Sequence, residues 1–217
     1  MSEKPILFST PMVQAILARR KTMTRRVIKP QPTKNYPLGF ISSSTDSARE
    51  GQYAWGTDEN GGVLDLAKPR YQIGDILWVR ETWRRSVAGG FFIYKVDDGR
   101  EERNKKLAEI DPTLHWKSSI YMPRAAARLF LKVKNVRVER LQDITAEDAI
   151  AEGIKINCKH DDYVCSAYPC DFKTTFARKD HFKNMWDSIN AKRGLGWDIN
   201  PWCWVLEFEV IPNGQKN

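Results

Sequence analysis

The sequence predicts an α+β domain of half-buried strands with flanking helices. Stretches of alternating apolar and polar residues recur along the chain, which is typical of half-buried strands. In one stretch Leu129 and Val133 share a parity, whereas Val136 and Val138 have the opposite parity. This change predicts a β-bulge or kink near residues 134–135, a usual way for a small barrel to bend. Apolar residues at helical spacing elsewhere in the chain predict the flanking helices.

The first helix is predicted over residues 10–18. Thr10 can cap free backbone amides, and Pro11 suits the first turn because its missing N–H is not needed there. The stripe expected to be buried consists of Met12, Val13, Ile16 and Leu17. Beyond Thr22, β-branched residues predict a strand that Pro30 ends.

Later elements follow from similar patterns. Strands are predicted near residues 75–80 and 91–96, and the alternating residues Trp202, Trp204, Leu206, Phe208 and Val210 predict a final strand. A Thr145 cap and Gly153 bound a second helix, and the spacing of Phe182, Met185, Trp186 and Ile189 predicts a third that packs on the barrel. Cys203 is expected to be a buried thiol.

The remaining segments are expected to be insertions in one domain of residues 1–217. They lie at about 31–70, 97–120 and 156–172, where turn-forming or charged residues are common. Residues 31–70 are predicted to form loops with at most short hairpins, such as one turning at Asn60-Gly61.

Charge and hydropathy narrow the classes of partner. With 217 residues and 41% hydrophobic side chains, the chain can bury one sizeable core. A formal charge of +8 favours an anionic partner, nucleic acid before a membrane surface. No apolar run approaches the roughly 20 residues that span a bilayer, and residues 1–5 lack the apolar core of a signal peptide. We expect a cytoplasmic protein that does not bind membranes.

Residues 19–26 form the most informative segment. Five of them are cationic (Arg19, Arg20, Lys21, Arg25 and Arg26), and two carry hydroxyls (Thr22 and Thr24). On the predicted strand Thr24 and Arg26 share one face, and Lys21 in the preceding turn can swing over it. The segment therefore predicts an ammonium, a hydroxyl and a guanidinium around one spot.

This segment resembles the signature of the ASCH domain family, a PUA-like β-barrel family with the pattern G-x-K-x-x-(E/T)-x-R. Lys21, Thr24 and Arg26 fall on its Lys, Glu/Thr and Arg positions, and the later strand at Gly74–Val79 fits as well. Arg19 stands where the family usually has Gly. The whole chain is similar to the longer ASCH proteins of phages and prophages, most of which have no assigned activity.

The resemblance implies a site and a substrate. In the small ASCH enzymes that deacylate N4-acetylcytidine, the catalytic set is a Lys and a Thr from the signature plus a Glu from the next helix. Glu152 takes that Glu position here, and it lies in a last helical turn, where a carboxylate is electrostatically disfavoured. The resemblance thus implies a Lys21, Thr24 and Glu152 amidohydrolase for an N4-acylated cytidine or related base.

The residue chemistry is consistent with this role but leaves alternatives. Thr24 could attack an acyl carbon if burial keeps Lys21 partly neutral, while Glu152 moves the proton to the leaving nitrogen. The alternatives are a pocket for RNA or a modified nucleotide without turnover, a ribonuclease variant of it, and a structural ion pair. A phage interaction protein without catalysis is a further alternative. No cofactor is expected.

Further basic and aromatic residues are candidates for nucleic-acid binding. Arg19, Arg20 and Arg25 would lead outward from the pocket, and Arg124 would contact phosphate at its rim. Alternation through residues 78–83 places Arg80 or Glu81 in the pocket, with Trp83 among the indoles available to stack on a base. The structural alternatives are buried tryptophans and ordinary surface arginines.

Four side chains within a short segment could hold zinc: Cys158, His160, Cys165 and Cys170. Their spacing, C-x-H-x4-C-x4-C, differs from the paired C-x2-C of common zinc modules. We therefore predict no metal as the main interpretation, with a structural zinc as the alternative. The chain has only three histidines, so few imidazole groups are present that could act in catalysis.

Overall fold

A computed structural model of the protein describes residues 2–34, 36–86, 90–97, 115–154 and 175–212. Its strands are β1 (Glu3–Leu7), β2 (Met23–Val27), β3 (Pro37–Phe40), β4 (Tyr53–Thr57), β5 (Val63–Ala67), β6 (Ile76–Arg80), β7 (Trp83–Arg85), β8 (Phe92–Tyr94), β9 (Phe130–Arg140) and β10 (Trp202–Ile211). The α-helices are α1 (Thr10–Leu17), α2 (Ala146–Ala151) and α3 (Thr175–Asn190).

The main sheet has five strands in the order β1-β6-β9-β10-β2. β1 and β6 are parallel, and the other neighbours are antiparallel. The two edge strands of this sheet are linked by a side chain: the Arg26 guanidinium on β2 donates a 2.7 Å hydrogen bond to the Leu7 carbonyl on β1. The predicted α+β class is confirmed, whereas the sheet in the described residues is open rather than a closed barrel.

The predicted bulge is present. The β9–β10 register shifts between Glu207 and Phe208, which lie opposite Asn135 and Val133, so Lys134 has no partner across the ladder. On the other side of β10, the backbone amide of Phe208 donates to the Thr22 carbonyl. The bulge thus occurs where the parity of apolar residues changes in the sequence.

Residues 31–70 are more ordered than the sequence predicted. They form the three-stranded antiparallel sheet β3-β4-β5, with the predicted turn at Asn60-Gly61. Trp55 on β4 is fully buried, and its ring centre lies 6.1 Å from that of Trp202 and 6.5 Å from that of Trp204. The segment therefore contributes to the main core, which the loop prediction missed.

Helix α1 differs from its prediction in two details. Ser9 is the N-cap and Thr10 is already helical, with Pro11 in the first turn. Leu17 is 44% exposed, while Ala15 is buried in its place. In this short helix the buried arc runs from Ala15 through Ile16 to Val13, and Leu17 falls outside it.

Strand β6 ends at Arg80, as predicted, but the alternation of faces does not continue past it. Trp83 begins β7, which pairs with β8 in a separate two-stranded sheet. The alternation predicted through residues 78–83 is therefore wrong. Glu81 and Trp83 do not continue one face of β6.

The later helices and the last strand agree with their predictions except at Ile189. The Thr145 hydroxyl accepts a hydrogen bond from the Asp148 amide, and Gly153 follows α2 with φ +92°. On α3, Phe182 and Trp186 are buried as predicted, but Ile189 is exposed because it lies one turn further along, near the end of the helix. Cys203 on β10 is buried, and burial raises the pKa of its thiol to about 12. Among the described residues, no helix has the length and apolar character needed to cross a membrane.

Candidate active site

The turn after α1 brings Lys21 to the end of α2. Arg19 adopts the left-handed conformation with φ +55°. The turn therefore keeps the backbone shape that a glycine would favour. For a residue other than glycine that conformation costs roughly 1–2 kcal/mol. Lys21 then forms an isolated β-bridge with Glu152.

Lys21 and Glu152 form a buried ion pair. The Lys21 ammonium donates to Glu152 Oε2 at 2.6 Å and to the Glu152 carbonyl at 2.8 Å. Their side chains are 0% and 3% exposed. Desolvation by burial lowers the pKa of Lys21, Glu152 opposes that shift, and Arg26 and Arg25 add to it. The carboxylate at the negative end of α2 is thus compensated by a cation that also binds a terminal carbonyl.

Arg25 adds a second cation beside Glu152. Its Nη2 lies 2.6 Å from Asp148 Oδ2 and 2.9 Å from Glu139 Oε2, and its Nη1 lies 3.6 Å from Glu152 Oε1. Arg137 joins the same network through Glu139 and Asp148. Arg25 is 4% exposed, so it does not belong to an outward basic path of the kind predicted from the sequence.

A cavity of about 400 Å³, the Glu152 cavity, lies against this ion pair. Strand β2 lines it with Thr24, Arg25 and Arg26, α3 lines it with Phe182, Met185 and Trp186, and Glu152 also lies at its wall. Met12 of α1 also lines it. Helix α3 therefore forms one wall of the cavity, and residues of the signature segment form another.

Two polar groups of residues on this cavity wall make no hydrogen bond within the described residues: the Thr24 hydroxyl and Glu152 Oε1. Glu152 Oε1 is buried, and its nearest cation is Arg25 at 3.6 Å. An unbonded buried acceptor is costly. Thr24 on the cavity wall therefore offers a hydroxyl to a polar ligand, whereas Glu152 Oε1 is enclosed by the protein.

The structure brings the predicted trio together in part. Lys21 contacts Glu152 directly, and Thr24 shares a cavity wall with Glu152. No hydrogen bond joins Lys21 to Thr24 in the described part of the chain. Phe182 and Trp186, predicted only as packing residues, also line the cavity. Their helical spacing indicated burial but could not show that one end of the buried face borders a cavity.

A second cavity, the seam cavity, lies between the two edge strands of the main sheet. It measures about 420 Å³ and is lined by residues 5–7 of β1, Arg26 and Val27 of β2, and the segment Lys68, Pro69, Arg70 and Tyr71. Lys29, Arg80 and Trp204 also line this cavity. Both cavities are lined by Arg26, Val27, Lys29 and Arg70.

Other predicted binding residues have structural partners. Arg20 donates to the Gly153 carbonyl at 2.9 Å, and Arg80 donates to the Ile120 carbonyl at 3.2 Å. Glu81 is buried in a bidentate pair with Arg128, at 2.9 and 3.0 Å. Arg124 pairs with Glu3, and its guanidinium carbon lies 4.4 Å from the Phe130 ring centre.

Trp83 is 5% exposed and packs edge-on against Phe92, so it occupies a core position rather than a stacking platform. Arg19 is exposed and lines neither cavity described here. Of the predicted nucleic-acid contacts, only Arg25, Arg26 and Arg80 border these two cavities.

The predicted zinc ligands Cys158, His160, Cys165 and Cys170 lie outside the described residues. Within the ranges that the structure describes, no group of three His, Cys, Asp or Glu side chains is arranged to hold a metal ion. The zinc alternative stays a prediction from the sequence.

Comparison with known proteins identifies no relative of this chain. No protein-family model matches the chain, and neither a curated protein nor a solved structure matches it. Inference about function therefore starts from the two cavities and the side chains that line them.

Proposed function

We propose that this chain is an ASCH-type, PUA-like domain that hydrolyses the amide of an N4-acylated cytidine or a related nucleobase. One observation carries the proposal: the buried Lys21–Glu152 contact of 2.6 Å borders a cavity that also exposes the Thr24 hydroxyl. A nucleophile, a proton acceptor and a proton donor are the groups that cleavage of this amide needs. The cytoplasm, where nucleotides and RNA occur, is the proposed location.

The cavity matches the size and polarity of an acylated base. Its volume of about 400 Å³ lies within the usual range for small-molecule sites. Phe182 and Trp186 supply apolar surface for the ring, and the Thr24 hydroxyl, which no described residue binds, is available to its polar groups.

In the proposed reaction the Thr24 oxygen attacks the acyl carbon, and its proton passes to the Lys21–Glu152 pair. The carbon–nitrogen bond then breaks, and the pair returns the proton to N4, which releases cytidine and leaves an acyl ester on Thr24. Water, deprotonated by the same pair, cleaves this ester to give a carboxylic acid and free Thr24. Arg25 and Arg26 on the cavity wall favour the negative charge that develops on the acyl oxygen.

The test is release of cytidine from N4-acetylcytidine by the purified protein. We expect turnover by wild type and at least a 100-fold loss in Thr24→Ala and Glu152→Gln, the typical scale for a lost acid–base group. Thr22→Ala and Glu147→Gln are matched controls, because both residues are exposed neighbours in the same segments. Both controls should keep wild-type activity.

Two results would overturn the proposal. One is absence of turnover in folded wild-type protein over a set of N4-acyl groups. The other is equal activity of Thr24→Ala and Thr22→Ala, since the hydroxyl on the cavity would then have no part in the chemistry.

Binding of RNA or a modified nucleotide without turnover is the second candidate function. The cations that line the seam cavity favour it. If this second function is correct, wild-type protein should bind RNA or the modified nucleotide, bind it more weakly as salt rises, and release no cytidine.

A further inference from the structure

Five cationic side chains line the seam cavity: Arg26, Lys29, Lys68, Arg70 and Arg80. Within the described residues, none of them has a carboxylate within ion-pair distance, and none of the residues lining this cavity is acidic. Among the described residues, the Arg26 and Arg80 guanidinium groups donate only to backbone carbonyls, and that of Arg70 lies 5.5 Å from the Tyr71 ring centre. The cavity therefore concentrates positive charge that no carboxylate in the described part of the chain pairs with.

Other cations near the main sheet have carboxylate partners: Lys4 with Asp75, Lys21 with Glu152, Arg124 with Glu3, Arg128 with Glu81, and Arg137 with Glu139. Like charges gathered around one cavity repel each other, and an anion bound between them removes that repulsion. The open charges thus indicate an anionic ligand at this position.

The two cavities are neighbours that share lining residues. Arg26, Lys29 and Arg70 line both, and Arg26 lies two residues from Thr24 on β2. Lys29, Lys68 and Arg70 are exposed, so their charged ends can reach an entering ligand. A ligand with its base in the Glu152 cavity would direct an attached anionic group toward the seam cavity.

We propose that the seam cavity binds a phosphate of the substrate, so that the acylated cytidine is recognised as a nucleotide or as part of RNA rather than as a free nucleoside. This inference rests on the proposed function for the position of the base. Arginine forks and lysine ammonium groups are the usual protein ligands of phosphate.

The test compares kcat/KM for three substrates: N4-acetylcytidine, its 5′-monophosphate, and a short single-stranded RNA with one N4-acetylcytidine. We expect at least a tenfold preference for one of the phosphorylated substrates, corresponding to one or more charge-assisted hydrogen bonds. A preference for the monophosphate indicates a free nucleotide, and a preference for the oligomer indicates RNA. The preference should fall as salt rises.

Variants locate the phosphate. Lys68 lines the seam cavity but not the Glu152 cavity, so Lys68→Ala should reduce the preference ratio by about tenfold. Lys134→Ala is the matched control, because Lys134 is exposed and lies on β9 away from either cavity lining. It should leave the ratio unchanged.

Binding of cytidine 5′-monophosphate and of unmodified RNA, measured by calorimetry, tests the inference without turnover. Binding that weakens in Lys68→Ala but not in Lys134→Ala supports the phosphate site even if no substrate is hydrolysed, in which case only the proposed function fails. Equal kcat/KM for all three substrates, with no effect of Lys68→Ala, would overturn the phosphate site and leave the hydrolase intact. Failure of both phosphorylated ligands to bind would overturn the phosphate site as well.

Discussion

At the scale of single residues, the buried pair of Lys21 and Glu152 is the central feature. Each charge alone would be expensive in this environment, and each offsets the cost of the other. Because Glu152 also borders a cavity, the pair is both a structural contact and the proposed proton acceptor and donor. These two roles make different predictions.

The structural role predicts a large loss of stability in Lys21→Met. This variant leaves the Glu152 carboxylate with only Arg25, at 3.6 Å, and should lower the free energy of unfolding by roughly 3–5 kcal/mol. The double variant Lys21→Met/Glu152→Leu should recover most of that loss. The control is Lys134→Met, which breaks an exposed pair with Glu209 and should cost at most about 1 kcal/mol.

Urea denaturation measures all three free energies. Similar losses in Lys21→Met and Lys134→Met would contradict the buried pair.

The proton-accepting role predicts a pH dependence. Burial lowers the pKa of Lys21 below its ordinary value of 10.5, so the neutral amine becomes available at a lower pH than in an exposed lysine. Activity should therefore rise with pH, with a midpoint below 10.5. Between that lowered pKa and 10.5 the unfolded chain binds more protons at this residue, so Lys21 should also make stability rise with pH.

A pH series of kcat/KM and of the free energy of unfolding, wild type against Lys21→Met, isolates this contribution. A wild-type rate that is flat or falls with pH below 10.5 would contradict it.

At the scale of elements, α2 and the turn after α1 hold the site together. The Thr145 cap starts α2, and the Lys21 ammonium binds a carbonyl at its other end. Gly153 then closes the contact, because a Cβ there would lie 2.8 Å from Ala15 Cβ and 2.9 Å from Lys21 Cβ. Helix α2, α1 and Lys21 therefore meet at a glycine that has no room for a side chain.

This packing predicts that Gly153→Ala is more harmful than its backbone conformation alone explains. Gly194 is the matched control, since it also has a positive φ, +69°, but has open space around its Cβ position. Both variants should lose about 1 kcal/mol or more from backbone strain. Only Gly153→Ala should lose a further 1–3 kcal/mol, roughly the cost of overpacking.

Thermal or urea unfolding gives the difference. The activity of Gly153→Ala should fall too, because Glu152 is adjacent. Equal stability losses in the two alanine variants would show that the contact at Gly153 is unimportant.

At the scale of the whole molecule, the sheet β3-β4-β5 is joined to the main core through Trp55. This indole packs against Trp202 and Trp204 of β10, and Trp204 also lines the seam cavity. The segment that the sequence marked as an insertion thus supports one wall of the proposed phosphate site.

Trp55→Ala should therefore destabilise the whole fold by roughly 3–5 kcal/mol. Leu64→Ala on β5 is the control, because Leu64 is 45% exposed; it should have a small effect. Denaturation should stay a single cooperative transition in both variants. A separate early transition of the β3-β4-β5 sheet would contradict the shared core.

The resemblance to the ASCH signature suggested Lys21, Thr24 and Glu152 as candidates. The sequence by itself determined the local features: the α+β class, the main strands, the bulge at Lys134 and the Thr145 cap. These follow from periodicity, capping and spacing, which act over a few residues. The tertiary structure alone decided that Arg25 is buried among carboxylates, that Trp55 belongs to the core, and that cations from three separate segments meet at one cavity. The physical reason is that charge pairing, burial and cavities depend on contacts between residues far apart in the chain, and no local pattern encodes those partners.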